Sequence, residues 1–199
     1  GGTWRAATSD FVVMRKGAVM AVSSANVTSV AISEDPDPED LGGWRMQTGV
    51  TGQVDLAVDS DEAALDAIKS FLSYLPSHSG EVPPELEPAA DAAQDQDALL
   101  SVVPESRSKV YDMRDVVRVI VDRDSYFPIK DRFARNISTG LARLNGRSVG
   151  VIAPNPKFKG GALDADACDK AISFIALCDS FNVPLITLAD TPGFLVGVA

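Results

Sequence analysis

The stretch Pro184–Ala199, with the sequence PLITLADTPGFLVGVA, determines how the second half of the chain is interpreted. Its first six residues are mostly apolar and have polar residues on either side, a pattern typical of a buried strand. Pro192 and Gly193 then predict a tight turn. Ligands of open α/β sheets bind outside the carboxyl ends of the strands. We therefore expect the turn Pro192-Gly193-Phe194 to lie at a functional site.

Upstream of this stretch, the sequence predicts a hairpin followed by a helix. Asn145-Gly146 joins the β-rich runs Asn136–Leu144 and Ser148–Ala153 and favours a two-residue turn. The helix would begin at Asp164 or Asp166, either of which can accept hydrogen bonds as an N-cap. Its apolar positions follow helical spacing and predict a mostly buried helix, with a stripe made of Cys168, Ala171, Ile172, Ile175 and Cys178 or Asp179 that Phe174 and Leu177 widen.

The first half of the chain predicts a second, separate set of elements. Val54–Val58 alternates like a half-buried strand, and Asp59 or Ser60 would cap a helix after it. The apolar face of that helix would consist of Leu65, Ile68, Leu72 and Leu75. Leu41-Gly42-Gly43-Trp44 predicts a turn ahead of a strand. Prolines, acids and serines dominate Pro76–Ser108, which predicts a linker between two lobes.

Composition excludes several classes of function. The net charge of −10 argues against sequence-independent binding of nucleic acid. No apolar run approaches the roughly 18 residues of a membrane span. Cys168 and Cys178 would lie about 15 Å apart on one helix, too far for a disulfide, and are typical of a reducing compartment. The one histidine, His78, lies in the linker, and no spacing predicts a metal site.

The residues that could carry chemistry are glycines. The chain has no Ser-His-Asp set, no P-loop and no GxGxxG. What remains is Gly1-Gly2, Gly160-Gly161 and Pro192-Gly193-Phe194, turns that expose backbone N–H groups to a developing oxyanion. Such donors suit enolate formation from a thioester, which needs no side-chain nucleophile. On spacing alone, each glycine pair is equally compatible with an ordinary turn.

Longer segments resemble a known family. The segment GRSVGVIAPNPKFKGGALDADACDKAISFIALCDSFNVPLITLADTPGFLVG, which begins at Gly146, resembles the β-type carboxyltransferase subunits of propionyl-CoA and acetyl-CoA carboxylases. GGTWRAATSDFVVMRKGAVMAVSSANV at the start of the chain, Tyr111–Arg114 and Asp124–Arg143 are also similar to that family. The likeness covers nearly the whole chain outside Glu34–Asp40 and the linker.

The resemblance implies an α/β fold of two crotonase-like β-β-α spiral domains, each partial in this chain. Residues 1–75 would belong to the N-domain, 76–108 to the linker and 109–199 to the C-domain. It further implies a hexamer, a biotin carboxylase and biotin carrier subunit as partner, carboxybiotin as cofactor and a coenzyme A thioester as substrate. The expected location is the cytoplasm, or the mitochondrial matrix in a eukaryote. No nucleic acid, membrane or metal is expected.

The resemblance also assigns roles to two sites. Gly1 and Gly2 match the N-domain glycine pair whose backbone N–H groups form an oxyanion hole, assigned here to the thioester enolate by analogy with crotonases. Pro192, Gly193 and Phe194 match the C-domain loop near the biotin ring. A second glycine pair of the family's C-domain has no counterpart up to Ala199. Trp4 and Val196 depart from the family pattern, which leaves the acyl group open.

The implied reaction is transfer of CO2 from carboxybiotin to the α carbon of an acyl-CoA, propionyl-CoA or acetyl-CoA above all. Two alternatives stay open at this point. One is a biotin-dependent decarboxylase or transcarboxylase of the same fold, and the other is a non-catalytic scaffold subunit. The chain by itself is expected to be inactive.

Overall fold

The computed structural model describes residues 2–88, 96–106 and 109–196. They divide into two units, one ending at Lys69 and the other beginning at Ser70. The first unit contains a two-stranded parallel sheet, β1 (Val13–Arg15) and β2 (Leu56–Val58), in which Met14 lies opposite Ala57. The helices that begin in it are α1 (Gly2–Ala7), α2 (Ala25–Ile32), α3 (Pro38–Gly42), α4 (Trp44–Gly49) and α5 (Asp61–Ser73).

The glycine pair Gly42-Gly43 lies between two helices, so the prediction of a turn ahead of a strand is wrong. Gly42 ends α3, and Gly43 directly precedes α4. A Cβ on Gly42 would lie 2.4 Å from the Met20 carbonyl oxygen, and one on Gly43 would lie 2.2 Å from a side-chain atom of Glu39. Close packing, which a sequence pattern does not reveal, is therefore what requires glycine here.

Helix α5 begins as predicted but buries a different face. The Ser60 hydroxyl accepts a hydrogen bond from the Ala63 N–H at 3.1 Å, which makes Ser60 the cap. Ala67, Phe71 and Tyr74 are buried at helical spacing. Of the predicted face, Leu65, Ile68 and Leu72 are exposed, and Leu75, which follows the end of the helix, is buried. Both stripes have the same period, and the aromatic pair of the second stripe carries the larger apolar surface.

The second unit is built around a four-stranded sheet in the order β3-β4-β5-β6. These strands are β3 (Phe127–Ile129), β4 (Ile137–Leu144), β5 (Arg147–Pro154) and β6 (Leu185–Thr187). The hairpin is confirmed, because Leu144 pairs with Arg147 across Asn145-Gly146. Both turn residues have positive φ, 51° and 78°, as a type I′ turn requires. β6 pairs in parallel with β5, which confirms the strand–helix–strand unit.

One helix packs on each face of this sheet. α7 (Met113–Ile120) buries Met113 and Val117 against alternate residues of β5, namely Val149, Val151 and Ala153. α8 (Ala165–Ser180) approaches the opposite face at Gly150, where a Cβ would lie 2.7 Å from the Cys178 sulfur. Glycine in the middle of β5 therefore allows α8 to lie close to the sheet.

The burial predicted for α8 is confirmed at Phe174, Leu177 and Cys178 but wrong at Ile172 and Ile175, and the burial predicted for β6 is wrong. α8 buries Ala167, Lys170, Phe174, Leu177 and Cys178, while Ile172 and Ile175 of the predicted face are 64% and 43% exposed. The helix is apolar on almost every side, so periodicity alone does not select a face. β6 is an edge strand, and its first residue, Leu185, is 42% exposed.

The described part of the predicted linker belongs to the second unit, and hydrogen bonds join it to the hairpin turn and to the segment before β6. The Asn182 side-chain amide donates to the carbonyls of Ser79 and Glu81, both at 2.7 Å, and the Leu86 N–H donates to the Gly146 carbonyl at 3.1 Å. Gln96–Ala98 forms a 3₁₀ turn that leads into α6 (Leu99–Val102). Residues 89–95, 107 and 108 lie outside the described ranges, and the domain boundaries 1–75, 76–108 and 109–199 stay predictions.

Candidate active site

The first candidate site is the start of α1. The first four N–H groups of an α-helix have no acceptor within the helix, and α1 begins at Gly2. Gly2 is exposed, and among the residues that the structure describes a Cβ added to it would meet no atom of another part of the chain within 4 Å. Space for a ligand is therefore open directly beside these donors. Gly1, the other member of the predicted pair, lies outside the described residues.

A short chain of hydrogen bonds holds α1 in place. The Thr3 hydroxyl donates to the Ala21 carbonyl at 2.7 Å. The preceding residue, Met20, is fixed in turn, because its carbonyl accepts from the Gln47 side-chain amide at 2.6 Å and its N–H donates to the Gly42 carbonyl at 2.8 Å. The close contact that requires glycine at position 42 thus lies directly behind the segment that anchors α1.

The second candidate site is the turn that follows β6. Leu163 pairs with this segment in a parallel bridge, in which its N–H donates to the Gly193 carbonyl at 2.9 Å and its carbonyl accepts from the Leu195 N–H at 2.8 Å. Gly193 has a φ of 117°, which a residue with a side chain rarely adopts, and Phe194 is 70% exposed. The turn is thereby held rigid while its aromatic side chain faces solvent.

The structure brings two of the predicted glycine turns together. Gly160 and Gly161 both have positive φ, and they form a 3₁₀ turn just before α8. A Cβ on Gly161 would lie 2.8 Å from the Asp190 carbonyl oxygen. Glycine at this position therefore lets the backbone at Asp190, which leads into the Pro192-Gly193-Phe194 turn, come close.

Two buried asparagines, which the sequence did not single out, support this second site. Asn136 is 2% exposed, and its side-chain amide donates to the Ala162 carbonyl at 2.8 Å and to the Asp164 carboxylate at 3.2 Å. Asn155 is fully buried, donates to Asp112 at 2.8 Å and accepts from the Met113 N–H at 3.2 Å. Asn136 directly precedes β4, and Asn155 directly follows β5. A polar residue next to a strand end was the sequence signal that could have identified them.

Ionisable groups around the second site have shifted pKa values. Burial, together with the Asp190 carboxylate to which its hydroxyl donates, raises the pKa of Tyr111 to about 12. Burial alone would raise the pKa of Asp164, but hydrogen bonds from Lys159 and from the Ala167 N–H prevail and lower it to about 2. Tyr111 thus stays a donor and Asp164 stays an N-cap carboxylate across the neutral range, as the sequence predicted for the cap.

Lys170 is the buried lysine of α8, and its contacts are structural. The residue is 2% exposed, and its amine donates to the carbonyls of Phe133 and Ile137, both at 2.8 Å. Burial lowers its pKa to about 7. The bonds attach α8 to the loop before β4, the same loop that carries Asn136. A lysine within a largely apolar helix could have indicated a buried polar contact, but the search for an apolar stripe assigned this lysine to the surface.

The two candidate sites offer backbone donors and no side-chain nucleophile. Within the described ranges, no cluster of three or more His, Cys, Asp or Glu side chains could hold a metal ion. Among the same residues, no helix is long and apolar enough to cross a membrane. Gly2 belongs to the first unit, and Pro192, Gly193 and Phe194 belong to the second. What the described residues offer chemically is the N–H groups at the start of α1 in the first site and the outward-facing backbone of the turn in the second.

Comparison with known proteins gives consistent matches over the whole chain. The model of the carboxyl transferase domain family matches residues 1–199. The carboxyltransferase subunit of propionyl-CoA carboxylase from Haloferax mediterranei is 38% identical over 198 residues, which are 99% of this chain and 38% of that protein. The 12S subunit of methylmalonyl-CoA carboxyltransferase from Propionibacterium freudenreichii subsp. shermanii is also 38% identical, over 100% of this chain and 38% of its own.

A solved structure agrees with these sequences. The crystal structure of transcarboxylase 12S, a hexamer determined with hydrolysed methylmalonyl-coenzyme A bound, superposes with a TM-score of 0.93 at 38% identity. The match covers 100% of this chain and 39% of that one. The predicted α/β fold of crotonase-like type is thereby confirmed. The chain spans about two fifths of the length of the relatives it matches.

Proposed function

Because the chain belongs to the carboxyl transferase domain family, we propose that the full-length protein is the carboxyltransferase component of a biotin-dependent acyl-CoA carboxylase. It would transfer CO2 from carboxybiotin to the α carbon of an acyl-CoA, with propionyl-CoA and acetyl-CoA as the first candidates. The observation that carries the proposal is the combination of a match along the whole chain with sites made of backbone donors. Chemistry through a thioester enolate needs such donors and no protein nucleophile.

The enolate oxygen is proposed to bind at the start of α1. Negative charge on that oxygen grows from the thioester to the enolate, so donors aimed at it stabilise the transition state more than the bound substrate. Gly1 and Gly2 are proposed as the pair that supplies these donors. Open space at the Gly2 Cβ position supports the proposal, because the acyl thioester must approach the backbone closely.

The Pro192-Gly193-Phe194 turn is proposed as the surface that receives the biotin ring. That ring is a compact, uncharged ureido bicycle with apolar edges, and the turn offers an exposed aromatic side chain together with backbone polar groups. In the described ranges, no atom beyond the chain neighbours lies within 4 Å of the Cβ positions of Gly160 and Gly193, so the described surface there is open. When bound, carboxybiotin supplies the CO2 and a ureido nitrogen that takes the α-proton. The residues of this chain position the ring, and the bonds that form and break belong to carboxybiotin and the acyl-CoA.

The proposed assembly follows the same family. We expect a homo-hexamer, as in the transcarboxylase 12S structure, and a biotin carboxylase and carrier subunit as the partner that delivers carboxybiotin. The N-domain would end near residue 75 and the C-domain would begin near residue 109. A cytoplasmic or mitochondrial-matrix location would suit such a partner.

A second candidate function differs from the first in the direction of the reaction. The 12S transcarboxylase subunit is 38% identical to this chain, as is the propionyl-CoA carboxylase subunit. Identity therefore gives the two directions equal support. A transcarboxylase or decarboxylase would use the same backbone donors, because the same enolate forms whether CO2 is added to it or lost from it.

The test is turnover of acyl-CoA substrates by the purified full-length protein. Methylmalonyl-CoA or malonyl-CoA is incubated with free biotin, and release of CO2 is followed; the reverse assay supplies propionyl-CoA or acetyl-CoA with carboxybiotin. Biotin-dependent turnover in either assay supports a carboxyltransferase, and the ratio of the two rates gives the preferred direction. Absence of biotin-dependent turnover in both, in a protein that assembles, would favour the scaffold alternative.

A further inference from the structure

We propose that Thr191 is a positioning residue that decides which backbone N–H of the Pro192-Gly193-Phe194 turn is offered to a ligand. Its hydroxyl engages the Gly193 N–H within the protein, and the Phe194 N–H is left as the donor that faces outward. The ligand would be an uncharged acceptor of the ureido type. The inference therefore rests on the proposed function, in which this turn receives the biotin ring.

The Thr191 hydroxyl makes one hydrogen bond to the loop before α8 and one within its own turn. It donates to the Gly161 carbonyl at 2.7 Å and accepts from the Gly193 N–H at 3.1 Å. The first bond joins the turn to the neighbouring glycine loop, and the second satisfies the Gly193 N–H. Gly193, which the sequence singled out for its backbone N–H, therefore has that N–H occupied.

The bridge to Leu163 fixes the direction of the next amide. Leu163 bonds to the carbonyl of Gly193 and to the N–H of Leu195. In a parallel ladder, the residue between these two directs its own N–H and carbonyl away from the partner strand. That residue is Phe194, and its N–H has no hydrogen-bond acceptor among the residues that the structure describes. It is a fixed, unoccupied donor beside an exposed aromatic ring.

The residue before Thr191 is held from two directions. The Tyr111 hydroxyl donates to the Asp190 carboxylate, and the Asp190 carbonyl lies so close to Gly161 that only glycine fits there. The raised pKa of Tyr111, about 12, keeps the hydroxyl protonated wherever an enzyme of this kind works. The backbone at Thr191 is therefore held rigid. Such rigidity is needed if the Thr191 hydroxyl is to decide which of two adjacent N–H groups, that of Gly193 or that of Phe194, is open to a ligand.

Two variants at position 191 separate the hydroxyl from the shape of the side chain. Thr191→Val keeps the branched shape and removes both hydrogen bonds, while Thr191→Ser keeps the hydroxyl. In the full-length enzyme with free biotin as substrate, we expect Thr191→Val to raise the KM for biotin about tenfold, from the loss of one to two hydrogen bonds. The KM for the acyl-CoA is expected to stay unchanged, and Thr191→Ser should recover most of the lost affinity. Equal rises in both KM values, or an unchanged biotin KM in Thr191→Val, would overturn the positioning role.

Amide hydrogen exchange gives a second test that needs no turnover. In the wild-type protein without ligand, the Gly193 N–H should exchange about tenfold more slowly than the Phe194 N–H, because only the former is bonded. Free biotin should then slow exchange at Phe194. Equal exchange at both amides without ligand, or a biotin effect at Gly193 alone, would refute the inference. A wild type without biotin-dependent turnover but with the expected exchange contrast would overturn the proposed function while leaving the geometry of the turn intact.

Discussion

Replacing Gly2 with valine tests the proposed oxyanion site with little disturbance of the fold. Gly2 is exposed, its φ is not in the left-handed region, and a Cβ there meets no atom of the described chain within 4 Å. Valine is a slightly better helix former than glycine, by a few tenths of a kcal/mol. We therefore expect the free energy of unfolding to change by less than about 1 kcal/mol.

The expected loss falls on the rate. A branched side chain beside the first N–H groups of α1 would push the thioester oxygen out of reach of its donors. Removing one donor of an oxyanion hole costs about 2.7–4 kcal/mol, or roughly a hundred- to thousand-fold in rate. Because the charge on that oxygen grows toward the enolate, kcat should carry most of this loss and the affinity for free CoA little of it.

Gly49 provides a matched control. It also lies in a helix, is exposed and does not have a positive φ, and no other part of the described chain comes within 4 Å of its Cβ position. The assay compares kcat for carboxylation, the dissociation constant for free CoA and the thermal midpoint of the full-length wild type, Gly2→Val and Gly49→Val. Near-normal turnover in Gly2→Val, or an equal loss in Gly49→Val, would show that the start of α1 is only a helix terminus.

Three further predictions concern the stability of the two units. Arg143→Met should lower the free energy of unfolding by about 2–3 kcal/mol in urea titrations, because the buried guanidinium donates to backbone carbonyls, including that of Ser73 at 2.8 Å; an unchanged midpoint would contradict this. Gly42→Ala should cost about 1–3 kcal/mol through its clash with the Met20 carbonyl, and equal stability would mean that this contact relaxes freely. The Arg114 guanidinium, which bonds the Asp112 carboxylate, holds the pKa of Asp112 well below its usual range, so its stabilising effect is complete above about pH 4 and is lost as the pH falls further. Asp112→Asn should therefore lower the thermal midpoint at pH 7 and flatten its decline in acid, and a decline as steep as that of the wild type would assign the acid sensitivity elsewhere.

Local signals in the sequence predicted the elements that depend on neighbouring residues. The Asn145-Gly146 turn and the Asp164 and Ser60 caps follow from interactions within a few positions, and the strand–helix–strand order follows from the succession of local patterns. The face that a helix buries was not predictable in the same way. The two apolar stripes of α5 have the same period, and the choice between them depends on what the rest of the chain places beside the helix.

Buried polar residues were the other part that the sequence did not reveal. Lys170 bonds to carbonyls 33 and 37 positions away, and Asn136 bonds to a carbonyl 26 positions away. Hydropathy assigns such residues to the surface, because a polar side chain is buried only where distant partners satisfy it. The candidate glycines were found from the sequence by resemblance. The hydrogen bonds that hold their loops, above all those of Thr191, are visible only in the structure.

The hairpin turn Asn145-Gly146 also has a consequence for the chemical stability of the protein. Asn-Gly pairs lose ammonia faster than most sequences, since the glycine nitrogen can attack the asparagine side chain and form a cyclic imide. Here the Gly146 N–H donates to the Asp122 carboxylate at 2.7 Å, and the Asn145 N–H donates to its other oxygen at 2.8 Å. Cyclisation requires the Gly146 nitrogen to leave the turn that these two hydrogen bonds hold closed. We therefore expect the Asp122 carboxylate to slow deamidation of Asn145, a reaction that would add negative charge to the turn.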